Sequence, residues 1–180
     1  MFKPAKKFAS DDEVKIFIKK KFDTWIIQSI EQTLVATRDP SGNKTSPLVA
    51  YLLLSCAIDI IAGFYGGRDT DTPPPGAIGK QYKDFVKAYM PSYDENELYT
   101  DLRCKLTHNF TLGKTLNLTN GKPDSHGLKD GDGREIKNFE NVLNDFKAGV
   151  NKYFEDLLTK KELQENFKKR VSGLGFVDMF

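Results

Sequence analysis

Residues 48–67 read LVAYLLLSCAIDIIAGFYGG, an apolar run with a single charged residue, Asp59, near its middle. Pro47 precedes the run and is tolerated in the first turn of a helix, and the glycine pair that ends it is a typical helix stop. A helix of this length could cross a membrane, but a carboxylate at the centre of a bilayer is costly. The run therefore predicts a helix from about Ser46 to Phe64 that is buried on most sides in a helical fold.

Further helices are predicted on both sides of this central one, because apolar residues recur there at helical spacing. Two of them begin at a capping box, formed by Ser10 with Glu13 and by Asp94 with Glu97, and Asn138 caps a third. The predicted ranges are about 10–36, 79–90, 94–110, 139–158 and 161–171. The chain is therefore expected to be mainly all-α, a bundle of five to six helices within a single domain of residues 1–180.

A small β-structure is expected between the fourth and fifth helices, at about residues 112–137. Residues 115–119 alternate between polar and apolar, and a second short strand is expected at about residues 134–137. The pattern predicts a β-hairpin inserted into the helical fold, with His126 as a loop residue. After the run from Asp130 to Gly133, the next two positions lack the acceptor and the glycine that a calcium loop needs, so no metal site is predicted.

The composition is that of a soluble globular protein: 39% of the 180 residues are hydrophobic, 29% are charged, and the formal net charge is only +2. Such a balance does not by itself indicate a nucleic-acid binder. Basic residues nevertheless cluster near both ends, either as solvated helix faces or as a groove that follows a phosphate backbone. The clustered residues are Lys3, Lys6, Lys7, Lys15, Lys19, Lys20, Lys21, Lys160, Lys161, Lys168, Lys169 and Arg170.

Cys56 and Cys104 have neither metal-binding nor redox spacing, so buried free thiols are predicted, and these fit a reducing compartment. No signal peptide is visible, which favours a cytoplasmic protein without membrane association. No cofactor is indicated, since the sequence has no glycine-rich phosphate loop. The apolar residues 173–180 are expected to pack on the domain or on a partner subunit.

The residues that best indicate a function lie near the end of the fourth predicted helix, where Arg103 and His108 are five positions apart. Arginine can hold a phosphate and neutralise its charge, and histidine can transfer a proton near neutral pH. On an α-helix the two side chains differ by about 140° around the axis and by roughly 7.5 Å along it. They could converge on one groove, or each could meet a second copy of the pair across a two-fold axis.

Neighbouring polar residues could complete this candidate site. An acid within an apolar helix needs a partner, and either Arg103 or His108 would supply one for Asp59, whose carboxylate could then orient an imidazole. Tyr99 and Asn109 are close enough in sequence to add hydrogen bonds. These side chains are therefore candidates for a supporting role around the Arg–His pair.

The same residues also have a purely structural interpretation. Arg103 could pair with Asp101 or Glu97 at the helix end, and His108 could be a satisfied residue in the last turn. Asp59 could equally lie at the edge of the buried face. The spacing alone does not distinguish the two interpretations.

The stretch LYTDLRCKLTH at residues 98–108 resembles the signature helix of the HEPN superfamily, in which four residues separate arginine from histidine. Its setting is similar too, because an apolar helix and a proline-bearing connector precede it and more helix follows. The similarity in architecture covers about residues 46–158, and the motif covers about a dozen residues. The resemblance implies an all-α bundle that forms a homodimer through its motif helices. In the active branches it also implies metal-independent RNA cleavage by attack of a 2′-hydroxyl on the neighbouring phosphate.

Under this resemblance, Arg103 binds and neutralises the phosphate, and His108 is the general acid or base. Active families place a polar residue such as asparagine or aspartate directly after the arginine, where this chain has Cys104. One candidate function is therefore a metal-independent bacterial endoribonuclease of toxin–antitoxin, stress or phage-defence type. Another is a non-catalytic module that binds RNA, a nucleotide or a protein partner such as an antitoxin. A third is a structural dimer in which the pair only packs the helix end.

Overall fold

The central apolar run forms the helix that the sequence predicts. The computed structural model describes residues 10–36, 47–70 and 72–174, and helix α2 spans Leu48–Tyr65. Tyr51, Leu54 and Ile58 on its inward face are fully buried. Within the described residues α2 is the one helix long and apolar enough to cross a membrane, and 56% of its residues are buried inside the bundle. Its apolar character is therefore explained by its place in the core.

The part of the chain that the structure describes contains six helices, as the sequence predicts. They are α1 (Asp11–Lys21, Phe22–Ile27 and Gln28–Ala36), α2 (Leu48–Tyr65), α3 (Ala77–Tyr89), α4 (Glu97–Cys104 and Lys105–Asn109), α5 (Phe139–Leu157) and α6 (Lys161–Leu174). Helix α2 packs against each of the other five. The mainly-α fold with a small β insertion is thereby confirmed.

Side chains cap the helices where the sequence predicts caps. Ser10 Oγ accepts the N–H of Glu13 at 3.3 Å, Asp94 Oδ1 accepts the N–H of Glu97 at 2.8 Å, and Asn138 Oδ1 accepts the N–H of Asn141 at 3.3 Å. Each bond satisfies a backbone donor that has no partner within its own helix. The starts of α1, α4 and α5 are therefore determined by local sequence.

Two helices contain π-helical turns, in which a backbone N–H bonds the carbonyl five residues earlier. One segment is Phe22–Ile27 in α1, and the other is Glu97–Cys104 in α4. Such turns are rare and often occur at functional sites. Arg103 lies in the π segment, and His108 lies in the α-helical turn that follows it.

The β insertion between α4 and α5 differs from the predicted hairpin. Strand β1 (Leu116–Thr119) pairs in parallel with β2 (Glu135–Asn138), whereas a hairpin would be antiparallel. Residues 120–134 connect them through a 3₁₀ turn at Pro123–Ser125 and a short antiparallel bridge between Lys129 and Glu135. A parallel pair requires such a crossover, so the prediction was right about the insertion and wrong about its strand direction.

A buried lysine, Lys137, connects this insertion to the helices. Lys137 Nζ lies 2.6 Å from Glu135 Oε1 and 3.3 Å from Glu97 Oε2 at the start of α4. Its backbone carbonyl accepts the hydroxyl of Tyr51 on α2 at 2.7 Å. Strand β2 therefore connects the two helices that carry the candidate site.

Asp130, in the connection between β1 and β2, stabilises the insertion through its hydrogen bonds. Burial alone would raise the pKa of Asp130, but hydrogen bonds from Arg134, Asn117 and the backbone lower it to about 2. Within the described ranges no cluster of histidine, cysteine and acidic side chains could hold a metal ion. The acidic run around Asp130 is therefore a turn held by hydrogen bonds.

His126 packs inside the insertion as a neutral imidazole. Its Nδ1 accepts the backbone N–H of Asn138 at 3.0 Å, and its Nε2 lies 3.3 Å from the hydroxyl of Tyr93, which in turn donates to Asp145 at 2.7 Å. Burial, and after it the charge of Lys137, lower the pKa of His126 below its ordinary value of 6.5. Protonation would remove the acceptor that holds Asn138 at the start of α5.

We therefore expect acid to weaken the fold through His126. The folded protein binds this proton less tightly than the unfolded chain, so its contribution is complete above pH 6.5 and decreases as the pH falls below that value. Urea unfolding at about pH 7.5 and pH 5.5 should show a smaller pH-dependent loss in His126→Gln than in wild type. His108→Ala, which changes the other histidine, is the matched control and should retain the wild-type loss. Equal losses in all three proteins would contradict this role.

Candidate functional site

The predicted acid in the central helix lies between two arginines. Arg103 Nη2 of α4 donates to Asp59 Oδ2 at 3.1 Å, and Arg68 Nη1 donates to Asp59 Oδ1 at 3.3 Å. The side chains of Asp59, Arg68 and Arg103 are 21%, 11% and 17% exposed. The predicted partner of Asp59 is therefore Arg103 and not His108, and the three residues form a half-buried cluster with one surplus positive charge.

The end of α2 places Arg68 in this cluster. Gly67 has a left-handed backbone (φ 66°). The N–H of Arg68 donates to the carbonyl of Gly63 at 2.9 Å, and the N–H of Gly67 donates to the carbonyl of Phe64 at 3.4 Å. These two bonds form a Schellman motif, which turns the chain back along the helix. A Cβ at Gly63 would lie 3.0 Å from the Arg68 guanidinium, so the glycine also leaves room for it. Arg68 then reaches both the carboxylate and the backbone carbonyl of Asp59.

The surroundings of Arg103 hold it as a cation. Burial alone would lower the pKa of Arg103, but the Asp59 carboxylate, with smaller contributions from Cys104 and Tyr99, raises it. The guanidinium carbon lies 5.7 Å from the centre of the Tyr99 ring. Three of the predicted site residues, Asp59, Tyr99 and Cys104, therefore lie next to Arg103.

His108 lies on the outer surface of α4. Its imidazole is exposed, and in the described part of the chain it makes no hydrogen bond or ion pair. Asn109 is exposed as well. The structure therefore brings neither residue into contact with Arg103 or Asp59, and leaves the imidazole accessible to a ligand.

Phe110 follows this pair in an unusual conformation. It caps the end of α4 with a left-handed backbone (φ 53°), where glycine or asparagine is usual, and its side chain is 52% exposed. The left-handed conformation costs free energy for a bulky residue, and an exposed aromatic ring does not gain the free energy of burial. The exposed ring and the left-handed backbone of Phe110 therefore lie directly after His108 and Asn109 at the end of α4.

The thiols differ from the prediction. Cys56 is exposed and Cys104 is half-buried, so neither is the buried free thiol that the apolar helices suggested. Although the residue is exposed, partial desolvation of its thiol by neighbouring atoms, and after it the Asp59 carboxylate, raise the pKa of Cys56. A protonated thiol is a poor nucleophile, so Cys56 is not an activated cysteine.

Two residues that contact this site, Arg68 and Lys83, are not predicted by the sequence analysis. Arg68 is not among the predicted site residues, although a glycine pair followed by arginine at a helix end is the signal of a Schellman motif that returns a long side chain to its own helix. Lys83 of α3 lies 5.5 Å from the centre of the Tyr99 ring, on a helix far from the motif in sequence. No local pattern could have identified that contact.

The chain matches no protein-family model, and no curated protein or solved structure is significantly similar to it. The family, the dimer and the activity that the motif implies therefore stay predictions. The apolar tail expected to pack on the domain lies outside the described residues from position 175 onward.

Proposed function

We propose that this protein is a HEPN-like, metal-independent endoribonuclease that acts on RNA through Arg103 and His108. The observation that carries the proposal is the cluster around Asp59, where two guanidiniums share one carboxylate. One positive charge remains for a phosphate, and the exposed His108 imidazole follows Arg103 by five residues on the same helix. Phosphodiester cleavage requires a fixed cation and a proton-transfer group around one phosphate, and in this proposal the bound phosphate lies between Arg103 and His108.

The reaction that fits this pair forms a cyclic phosphate. The 2′-oxygen of one nucleotide loses its proton to a base and attacks the adjacent phosphorus, while the 5′-oxygen of the next nucleotide leaves and takes a proton from an acid. Arg103 would neutralise the charge that grows on the phosphate oxygens. His108 would be the base or the acid, and a second copy of His108 across a two-fold axis could take the other role.

An exposed apolar stripe on α2 supports a homodimer on this side of the fold. Val49 and Leu53 are 41% and 36% exposed, and Cys56 is exposed one turn further along. The stripe lies beside the candidate site, because the charges of Asp59 on α2 and Arg103 on α4 both affect the pKa of Cys56. A two-fold contact along this stripe would bring two copies of α4 close together, and a monomer at micromolar concentration in sedimentation would contradict it.

The proposal is tested with labelled cellular RNA and purified wild-type protein in excess chelator. We expect fragments that carry 2′,3′-cyclic phosphate and 5′-hydroxyl ends, because no metal takes part in the proposed step. The chelator separates this activity from contaminating metal-dependent nucleases, which leave other ends. Absence of cleavage by a folded dimer would contradict the proposed enzyme.

A second candidate function is binding without cleavage. Arg103 is already engaged by Asp59, and Cys104 stands where active families carry a polar residue. These observations favour a module that holds RNA, a nucleotide or a protein partner in the same place. Such a module would bind RNA in the chelator assay and leave it intact, and it would lose that binding in Arg103→Ala.

A further inference from the structure

We infer that a groove between α3 and the start of α4 binds the backbone of single-stranded RNA next to Arg103, an inference that rests on the proposed function. The groove has a volume of about 420 Å³ and is lined by Lys80, Lys83 and Lys87 of α3 and by Tyr99 of α4. The three lysines follow one another at intervals of three and four residues. They therefore share one face of α3 over roughly 10 Å of helix. This lysine groove is separate from the contacts between Arg103 and Asp59.

The charges of the lysine groove favour an anion. Asp84 and Glu95 also line it, so the three lysines leave one surplus positive charge. Lys80 is paired with Asp84 at 2.5 Å, whereas Lys83 donates to the neutral amide oxygen of Asn96 at 3.2 Å. Lys87 is exposed and has no ion pair among the described residues. Lys83 and Lys87 are thus available to contact phosphates.

Tyr99 connects the lysine groove to the candidate site. Lys83 Nζ lies 5.5 Å from the centre of its ring, and the guanidinium carbon of Arg103 lies 5.7 Å from the same centre. Gly79 permits this packing, because a Cβ there would lie 2.7 Å from a carbon of the ring. A strand with one phosphate at Arg103 would therefore pass an aromatic ring before it reaches the lysines, and such rings are where unpaired bases stack.

The start of α3 adds a further attraction for phosphate. Gly76, which has a left-handed backbone (φ 80°), begins the helix without a side-chain cap and also lines the groove. The first N–H groups of a helix and its dipole favour anions. Lysines, an aromatic ring and a helix start in one continuous groove fit single-stranded RNA better than an acidic peptide, which offers no bases to stack.

The test measures binding of a fluorescent 2′-O-methyl RNA oligonucleotide, which cannot be cleaved by attack of a 2′-hydroxyl. Lys83→Ala/Lys87→Ala removes two phosphate contacts. The matched control Lys122→Ala/Lys129→Ala removes two exposed lysines from the β insertion, which do not line the groove. At about 0.1 M salt we expect the groove variant to bind roughly 25-fold more weakly. The slope of log affinity against log salt should fall by about 1.4, since each contact to a single strand contributes about 0.7.

Each outcome separates this inference from the proposed function. Unchanged affinity and salt slope in Lys83→Ala/Lys87→Ala, with RNA binding by wild type, would overturn the groove and leave the nuclease proposal intact. Wild type that neither binds the oligonucleotide nor cleaves RNA would overturn both. Tighter binding of polyglutamate than of RNA would reassign the groove to an acidic protein segment. Lys87→Glu, a single change at an exposed position, repeats the test if circular dichroism shows that the double variant is misfolded.

Discussion

Replacing His108 by alanine is expected to lower the rate of RNA cleavage by about 10²–10⁴-fold, the range that a general acid or base contributes. The free energy of unfolding should stay within about 0.5 kcal/mol of wild type, because the imidazole is exposed and has no hydrogen bond in the described structure. The measurements are initial cleavage rates in chelator and urea unfolding of the same preparations. Loss of activity without loss of stability would identify His108 as a functional residue.

Arg103→Ala should differ from His108→Ala in one respect. Under the proposed function we expect both variants to lose cleavage, but Arg103→Ala should also destabilise the fold, since Asp59 keeps only Arg68. Lys105→Ala is the matched control, because it removes an exposed cation from the same helix and should change the rate less than fivefold. Undiminished cleavage in both Arg103→Ala and His108→Ala would contradict the assignment of the motif.

The helices and their starts could be predicted because their signals are local. The caps at Ser10, Asp94 and Asn138 and the stop at Gly66–Gly67 each act within a few residues, and the structure confirms them. Apolar spacing identified the core face of α2 for the same reason. Six helices could therefore be predicted without any knowledge of how they pack.

Strand direction and side-chain pairing depend on distant residues, so the sequence did not determine them. The alternation at 115–119 predicts a strand, but it does not specify the direction in which that strand pairs, which the crossover at 120–134 decides. The π-helical turns at Glu97–Cys104 also have no signature in the 3.6-residue pattern. The contact of Arg103 with Asp59 joins residues 44 positions apart, which no local pattern identifies.

Replacing Asp59 by alanine is expected to destabilise the protein by about 2–3 kcal/mol. The change leaves the guanidiniums of Arg68 and Arg103, both under 20% exposed, without the carboxylate between them. Breaking a fully buried ion pair costs about 3–5 kcal/mol, and partial solvent access lowers that figure here. Urea unfolding measures the change. Glu165→Ala, which removes an exposed partner 4.0 Å from Lys161, is the control and should cost less than about 0.5 kcal/mol.

A triple variant separates the structural role of this cluster from its functional role. In Asp59→Leu/Arg68→Met/Arg103→Met the three charges are replaced together by apolar side chains of similar size, so no half-buried charge is left unpaired. Such replacements are often neutral or stabilising, and we expect stability to return to within about 1 kcal/mol of wild type. RNA cleavage should nevertheless be lost and RNA binding should be weakened, because the surplus positive charge of the cluster is gone while the lysine groove remains. A stable triple variant that still acts on RNA would show that the charges of the cluster serve neither the fold nor the RNA.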